Sequence, residues 1–578
     1  MTTCVVIVGI LIYLGLYFTY GKMIERNVVV ASNGRETPAK RLYDGMDYIP
    51  ARKSILFGHH FASIAGAAPI IGPALAMCWG WLPGLLWVWF GNIFIGAVHD
   101  YLALMASVRY DGKSIQFVAS DLFGKRTGRA FYWLVFFMLV LLVGAFGREI
   151  GKMFVSTPSI ASAFVWLIVA AIILGILIYR AKMNFIGATV IGIVMLFLSI
   201  WLGVVFPMKA SYMTWMWVFF FYIIIAASIP VNVLLQPRDY LNSWLLYVGL
   251  AVGFLAAVSA FKSFDVPAFS SFSPILSSDK PTPFWPAIPL IIACGSLSGF
   301  HSIVASGTTS KQLQRESDGL FIGYGAMFTE GLLSTIVIIA IAGFGYTAIK
   351  NAGAALDVVV ALDPDNWGAL FTRTTIAVKL AGANLFVQSY SNMVSATWLG
   401  ILPADYVKII AGMWVAAFAM TTLDTTTRVA RYCVTEMAAP LKARATKLYN
   451  FLTNRWIASM IPAALGIYLA ASGTSTILWP SFGAANQIIA SIALMTGACY
   501  VKTKMNSRFC SVAVIPAWIL WITVTAALVW FMVVILPGTI VSNPLMGWTI
   551  SGIFVIMGIM NIIFIFEFVK NYYGARNP

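Results

Sequence analysis

Charge is what this sequence has least of. Asp, Glu, Lys and Arg make up 10% of its 578 residues, against about 25% in a soluble globular domain. That shortage excludes a mainly water-soluble body. Cysteine is sparse as well: Cys4, Cys78, Cys294, Cys433, Cys499 and Cys510 are scattered and none sits in a CxxC. Neither a disulfide framework nor a zinc site is expected from that spacing. Only four histidines occur (His59, His60, His99 and His301), and no HxxxH or ExxH pair is found among them, so no metal or cofactor is expected. A GxxxxGK[ST] motif is missing too, which argues against ATP-driven transport by this chain alone. The first apolar run, 2–20, lacks a basic n-region and reads as a retained helix rather than a cleaved signal.

What is present is apolar. Hydrophobic residues make up 60% of the chain, in runs of about 20, the length that spans a hydrocarbon core of about 30 Å. The expectation is an all-α polytopic membrane protein with about fifteen transmembrane helices: 2–20, 55–76, 81–107, 130–147, 160–180, 184–206, 214–235, 242–261, 285–306, 319–348, 405–427, 457–472, 476–500, 511–535 and 545–569. The net charge of +16 invites a nucleic-acid reading. Alternating the spans across the bilayer, however, puts the basic segments 21–54, 108–129, 428–456 and 501–510 on one face. The positive-inside rule makes that face cytoplasmic, with the N-terminus outside and the C-terminus inside. Topology explains the basic excess, and no nucleic-acid partner is needed. The Ser- and Pro-rich segment 262–284 reads as an external loop. Within 349–404, "DVVVALDPDNWGALFTRTT" is polar, and "LFVQSYSNMVSATWLGILP" suits the interface or a partial dip into the bilayer.

Two spans carry their own breakers. "FGHHFASIAGAAPIIGP", 57–73, opens on His59 and His60 and holds Gly66, Pro69, Gly72 and Pro73, which weaken or break helices. "IACGSLSGFHSIVASGTTSK", 292–311, has the same character, with Gly295, Gly299, Gly307 and His301. Lipid cannot satisfy broken backbone, which survives only where it lines a cavity or is buried in protein. Paired broken helices are the sequence mark of a transporter's binding site. "HFASIAGA" and "FHSIVASG" are loosely alike and run in opposite directions in this topology. Close helix packing also collects small residues, but the shared histidine and the inversion favour a transport cavity.

The ionisable residues sharpen that reading, since charge near the midplane usually faces a cavity or a partner. Glu330 lies about 17 Å along its helix at 1.5 Å per residue, and Asp100 follows His99. As a set, the four histidines favour protonation chemistry. A single one is as well explained by a structural hydrogen bond. In "TTLDTTTRVARY", 421–432, five Thr around Asp424 offer hard oxygen ligands for Na+ or a hydronium-like site. Alternatively Asp424 pairs with Arg428 at i,i+4 and the Thr cap the helix end. Arg238 and Asp239, just after Pro237, read as a structural ion pair at a helix N-terminus.

"TPAKRLYDGMDYIP", "LFGHHFASIAGAAPIIGP", "LLQPRDYL", "ACGSLSGFHSIVASGTTSKQL", "FIGYGAMFTE", "TTLDTTTRVARY" and "LWPSFGAANQ" occur in order from about residue 37 to about residue 500. They resemble the successive motifs of the carbon starvation protein A (CstA) family. The resemblance implies a multi-pass transporter of a bacterial or archaeal inner membrane, importing pyruvate or short peptides. It also implies kinship with the amino acid–polyamine–organocation superfamily, whose core is two inverted repeats. The repeats would cover about 55–206 and about 285–500 within a core of 1–510, with 511–578 as additional C-terminal helices. In that scheme Thr421, Thr422 and Thr425 fall at a sodium site beside the first break.

The expected function is therefore secondary active symport of a small carboxylate-bearing solute by alternating access, with H+ favoured over Na+ and no enzymatic activity. Solute would meet His60, Gly66, Ala67, Ala68, Gly295, Ser298, Gly299 and His301. Glu330, His59, Asp100 and His99 would serve proton coupling, and Thr421, Thr422, Asp424 and Thr425 a cation. The rivals are a passive channel and a metal- or cofactor-binding membrane protein. Oligomeric state stays open.

Overall fold

The computed structural model describes residues 1–574 apart from 46, 231–232, 275–280, 293, 355–370, 372–379, 381, 473–474 and 543. Most of the polar stretch 357–375 therefore lies outside the described residues. The regular structure of the described residues is helical, with one isolated β-bridge, Ala51 to Leu313.

In chain order the main helices are α1 (Thr2–Val29), α2 (Lys53–Ile64), α3 (Ala68–Ala76), α4 (Trp81–Arg109), α5 (Lys125–Ser156), α6 (Pro158–Arg180) and α7 (Phe185–Val205). They continue as α8 (Tyr212–Ser228), α9 (Leu235–Ser259), α10 (Phe284–Ile291), α11 (Gly299–Gly307) and α12 (Glu316–Ala352). The last are α13 (Ala383–Ser395), α14 (Ala404–Ala438), α15 (Arg455–Ser472), α16 (Ser475–Thr503), α17 (Ser511–Ser542) and α18 (Pro544–Gly574).

Among the described residues, 12 helices are long and apolar enough to cross a membrane, or 13 if the pair bent by 45° at residues 65–67 counts as one span. The expected fifteen are thus not established. The shortfall falls on the segment that became α10 and α11, two short pieces, and on α8, which has 17 residues. α8 stops at Ser228 although its apolar run continues to 235. Ile229 precedes Pro230 and is extended (φ −87°, ψ 160°), because the proline ring disfavours helical backbone just before it. The next helix then starts at Leu235, seven residues before the expected 242, with Pro237 tolerated in its first turn. α14 is longer than expected and reaches Ala438. The segment 421–432 is therefore mid-helix rather than at a helix end.

The core is formed by α5, α12, α14 and α16, whose flanks are largely buried. α1, α7, α17 and α18 lie at the rim and turn Leu11, Ile186, Val194, Val533 and Trp548 outward, as lipid-facing helices do. The basic segments meet on one face. Arg41 pairs with Asp111, Arg35 and Arg109 pair with Glu316, Tyr432 donates to Asp47, and Lys504 lies 3.8 Å from Asp121. Lys502 donates to the Tyr572 carbonyl, which places the C-terminal end of α18 on this face. The amino group of Met1 bonds Lys262 in the loop on the opposite face, where Trp79 also reaches Thr282. α2 starts at the basic face and α11 ends there, so the two broken helices run antiparallel.

Candidate functional site

The second half of the first broken helix packs against the second break. A Cβ on Gly72 would sit 2.7 Å from the Ile291 carbonyl oxygen, so only glycine allows the backbones this close. Ser334 of α12 donates to the Pro69 carbonyl at 2.8 Å, satisfying an oxygen at the start of α3. Gly295 holds φ +83° between the halves of the second broken helix, a left-handed geometry that other residues adopt at a cost. Its N–H donates to Glu330 Oε1 at 3.1 Å, and its carbonyl accepts from Asn92 Nδ2 at 2.8 Å.

Around that break four of the expected residues converge from three helices. His301 Nδ1 lies 3.0 Å from Asp100 Oδ2, and His301 Nε2 lies 3.6 Å from Glu330 Oε2. His99 Nδ1 meets the other Asp100 oxygen at 2.7 Å. Every member is fully or almost fully buried. His301 Nε2, His99 Nε2 and Glu330 Oε2 have no hydrogen-bond partner among the described residues. All these side chains titrate, and none is a guanidinium or an ammonium. The arrangement can take up, hold and release protons, with Glu330 tied directly to the backbone of the break.

Spacing along the sequence suggested no metal site, but the fold builds one constellation that spacing cannot show. Ligand atoms of Cys294, His301 and Glu330 all lie within 4.8 Å of one another. Those residue types suit a borderline cation such as Zn2+, and Asp100 sits where it would orient the imidazole.

The first break faces a different partner set. A Cβ on Gly66 would lie 2.7 Å from Thr422 Oγ1 and 2.8 Å from Phe146 Cε2. Ala67 and Ala68 open α3, and the Ala67 carbonyl accepts from Ile70 and Ile71. Thr421 and Thr422 donate to carbonyls four residues back, and Thr421 also accepts from Asn242. Thr425 Oγ1 has no partner among the described residues.

Asp424 is held by Arg238, which also binds Asp239 at 2.6 Å and the Tyr222 hydroxyl at 2.7 Å. Arg428 instead donates to the Ala226 and Ile229 carbonyls, so the Asp424–Arg428 pairing considered above is replaced. Arg238 and Asp239 do form an ion pair in the first turn of a helix, as read from the sequence, but one joined across the bundle to α14. His59 bonds Asp239 at 3.1 Å, and His60 bonds Thr309 at 2.8 Å. Neither makes a hydrogen bond to the His301 cluster among the described residues.

Sequence reasoning did not single out Asn92, Asn486 or Gln487. Asn486 Oδ1 accepts from the Phe300 N–H at 2.9 Å and its amide donates to Ser298. Gln487 donates to the Pro289 and Leu297 carbonyls. These amides satisfy the backbone that the second break leaves open. Gly299 packs so tightly here that a Cβ would clash with the Asn486 carbonyl. The available signal was an amide inside an apolar run, in "FGNIF" and "GAANQ".

Comparison with known proteins agrees with the motif resemblance. The chain matches the family described as "Carbon starvation protein CstA" over residues 1–527. It is 32% identical to a Bacillus subtilis protein named "Peptide transporter CstA", over 97% of this chain and 94% of that one. Its counterpart in Escherichia coli K12, of the same name, is 31% identical over 90% of this chain and 80% of that one. A second Escherichia coli K12 protein, named "Pyruvate/proton symporter BtsT", is 28% identical over 90% and 80% of the respective chains.

Proposed function

Since the chain belongs to the carbon starvation protein CstA family, we propose that it is a secondary active transporter, not an enzyme, importing a small carboxylate-bearing nutrient by proton symport. One observation carries the coupling ion: His301, Asp100, His99 and Glu330 meet at the second break, with Glu330 on the Gly295 N–H. Protonating Glu330 would weaken its hold on that backbone and on His301. Proton binding and the shape of the break would then be one equilibrium. Sodium is the weaker reading, because the carboxylate of Asp424 already faces the Arg238 guanidinium. Thr421, Thr422 and Thr425 alone would offer a cation only neutral oxygens. The relative named as a pyruvate/proton symporter points the same way.

In this reading the solute carboxylate binds at the two breaks, among Gly66, Ala67, Ala68, Gly295, Ser298 and Gly299. His60 and His301 act as donors, and His59 and His99 are secondary members of the proton pathway. The half-helix N-termini at Ala68 and Gly299 favour an anion. Pyruvate and short peptides both carry that group. The two antiparallel broken helices would belong to inverted repeats that rock about the site. The basic face would be cytoplasmic in a bacterial inner membrane, with the N-terminus outside and the C-terminus inside. A second reading, a metal centre, is favoured by Cys294, His301 and Glu330 alone.

Uptake of radiolabelled pyruvate and of a dipeptide into proteoliposomes, under a pH gradient or a Na+ gradient, tests the proposal. Accumulation driven by the pH gradient and abolished in Glu330→Gln is the expected result. Accumulation driven only by Na+ would overturn the proton reading, and equilibration without accumulation would make the protein a channel. Stoichiometric transition metal in the purified protein, lost in Cys294→Ser, would favour the metal centre.

A further inference from the structure

A cavity of about 410 Å³ opens on the basic face, against the last turn of α11. Ile303, Ser306 and Gly307 of that helix line it, and Ile303 is two residues from His301. Lys113, Lys311 and Glu436 also line it, two ammonium groups and one carboxylate.

Lys311 is held between two tyrosine rings, 5.4 Å from the Tyr48 centroid and 5.2 Å from that of Tyr432. Both rings are pinned through their hydroxyls, Tyr48 to the Asp111 carbonyl and Tyr432 to Asp47. Ring faces soften the loss of water around an ammonium, but they accept no hydrogen bond of ordinary strength. Among the described residues Lys311 forms no ion pair, and Asp44 and Asp47 act on it only at longer range. Burial pushes its ammonium below its ordinary range, so a bound anion would be stabilising here.

The start of the helix Ile115–Phe123 also lines it, with Ser114, Gln116 and Phe117 on the cavity, and the Ile115 N–H donates to Ser306 Oγ of α11 at 3.0 Å. Gln116 is 2% exposed, and its Oε1 has no partner among the described residues. That oxygen is an acceptor, so it offers the cavity a place for a donor group of the occupant and leaves the anion to the lysines.

We propose that this cavity is a second binding station for the carboxylate solute, with Lys311 and Lys113 holding the anion between the second break and the basic face. The inference rests on the transport reading for the identity of the solute, but its charge selectivity can be measured without transport. Gly307→Cys places a thiol at the cavity in open space, its nearest neighbour being Val429 at 3.9 Å. Built on a Cys433→Ala background and reconstituted in nanodiscs, it would be labelled with an anionic and with a cationic methanethiosulfonate of similar size. Modification at 307 would be read by mass spectrometry.

The anionic reagent should react about tenfold faster, as a cationic cleft concentrates an anion. Lys311→Gln should remove most of that preference, Lys311→Arg should keep it, and millimolar pyruvate should slow anionic labelling. Equal rates for the two reagents, or a preference unchanged in Lys311→Gln, would overturn the station whether or not the protein transports. A charge preference that pyruvate and a dipeptide both leave untouched would overturn its assignment to the solute. If labelling behaves as expected while no gradient drives uptake, the transport reading falls and the anion site stands.

Discussion

The two breaks are flanked by buried ionic clusters of opposite character. Beside the first, Arg238 ties Asp424, Asp239 and the Tyr222 hydroxyl together across three helices. A guanidinium does not lose its proton in a protein, so the cation of this cluster is fixed, while His59, 3.1 Å from Asp239, is the imidazole in contact with it. Beside the second, every charged form belongs to a histidine or a carboxylic acid, and His301 Nε2 and Glu330 Oε2 face each other at 3.6 Å. That cluster holds no fixed cation, so a change of protonation there bears directly on the Glu330 contact with the Gly295 N–H. In the proposed reading the first cluster is a clamp and the second the proton-responsive element.

Breaking the clamp should have the largest effect. Arg238→Met leaves Asp424 and Asp239 buried without their cation. It should cost about 3–5 kcal/mol, read as a lower melting temperature in detergent, and adding Asp424→Asn should recover part of it. A variant as stable as the parent would mean that the Arg238 cluster is no clamp.

The second cluster should respond in function before stability. Asp100→Asn keeps an acceptor near His301 but removes the charge that orients and balances the ring. Proton-driven uptake should fall by about tenfold to a hundredfold, the range for losing a partner that orients a functional histidine, with a melting temperature close to the parent's. Equal losses of stability for Asp100→Asn and Arg238→Met would erase the contrast.

Gly66→Ala probes the contact between the first break and α14. Its Cβ would meet Thr422 Oγ1 at 2.7 Å and Phe146 at 2.8 Å, an overpacking worth about 1–3 kcal/mol. Thr422→Ala in the same chain should relieve the Thr422 contact and leave the Phe146 contact, a partial rescue visible in the same melt. The smallest change expected is His59→Gln. Asp239 keeps Arg238, so only one hydrogen bond is at stake, about 1 kcal/mol.

Much of this arrangement was readable before any coordinates. Gly66, Pro69 and Gly295 marked where helices would break, because those residues act on their own backbone. His301, Asp100 and Glu330 stood out as ionisable groups inside apolar runs. Their convergence did not, since they come from α11, α4 and α12, and which faces meet depends on how those helices cross. The same limit explains Arg428. Four residues from Asp424, it was one of two readings by helical spacing, yet a guanidinium arrives from α9 instead. The stop at Ser228 was within reach: Pro230 was present, and the apolar run outweighed it in a reading based on hydropathy.

The sequence by itself determined the solvent this protein lives in, the helical character of its segments, the positions of both breaks and the segregation of basic residues to one face. These follow from local chemistry: side-chain transfer into lipid, backbone hydrogen bonding that lipid cannot supply, and proline and glycine geometry. Only the tertiary structure decided that Arg238 faces Asp424, that Asn486 and Gln487 satisfy the second break, and that Cys294, His301 and Glu330 share one pocket of space. Most such pairings join residues tens to hundreds of positions apart. They are fixed by helix crossings at contacts such as Gly72 against Ile291, which no local window of sequence contains.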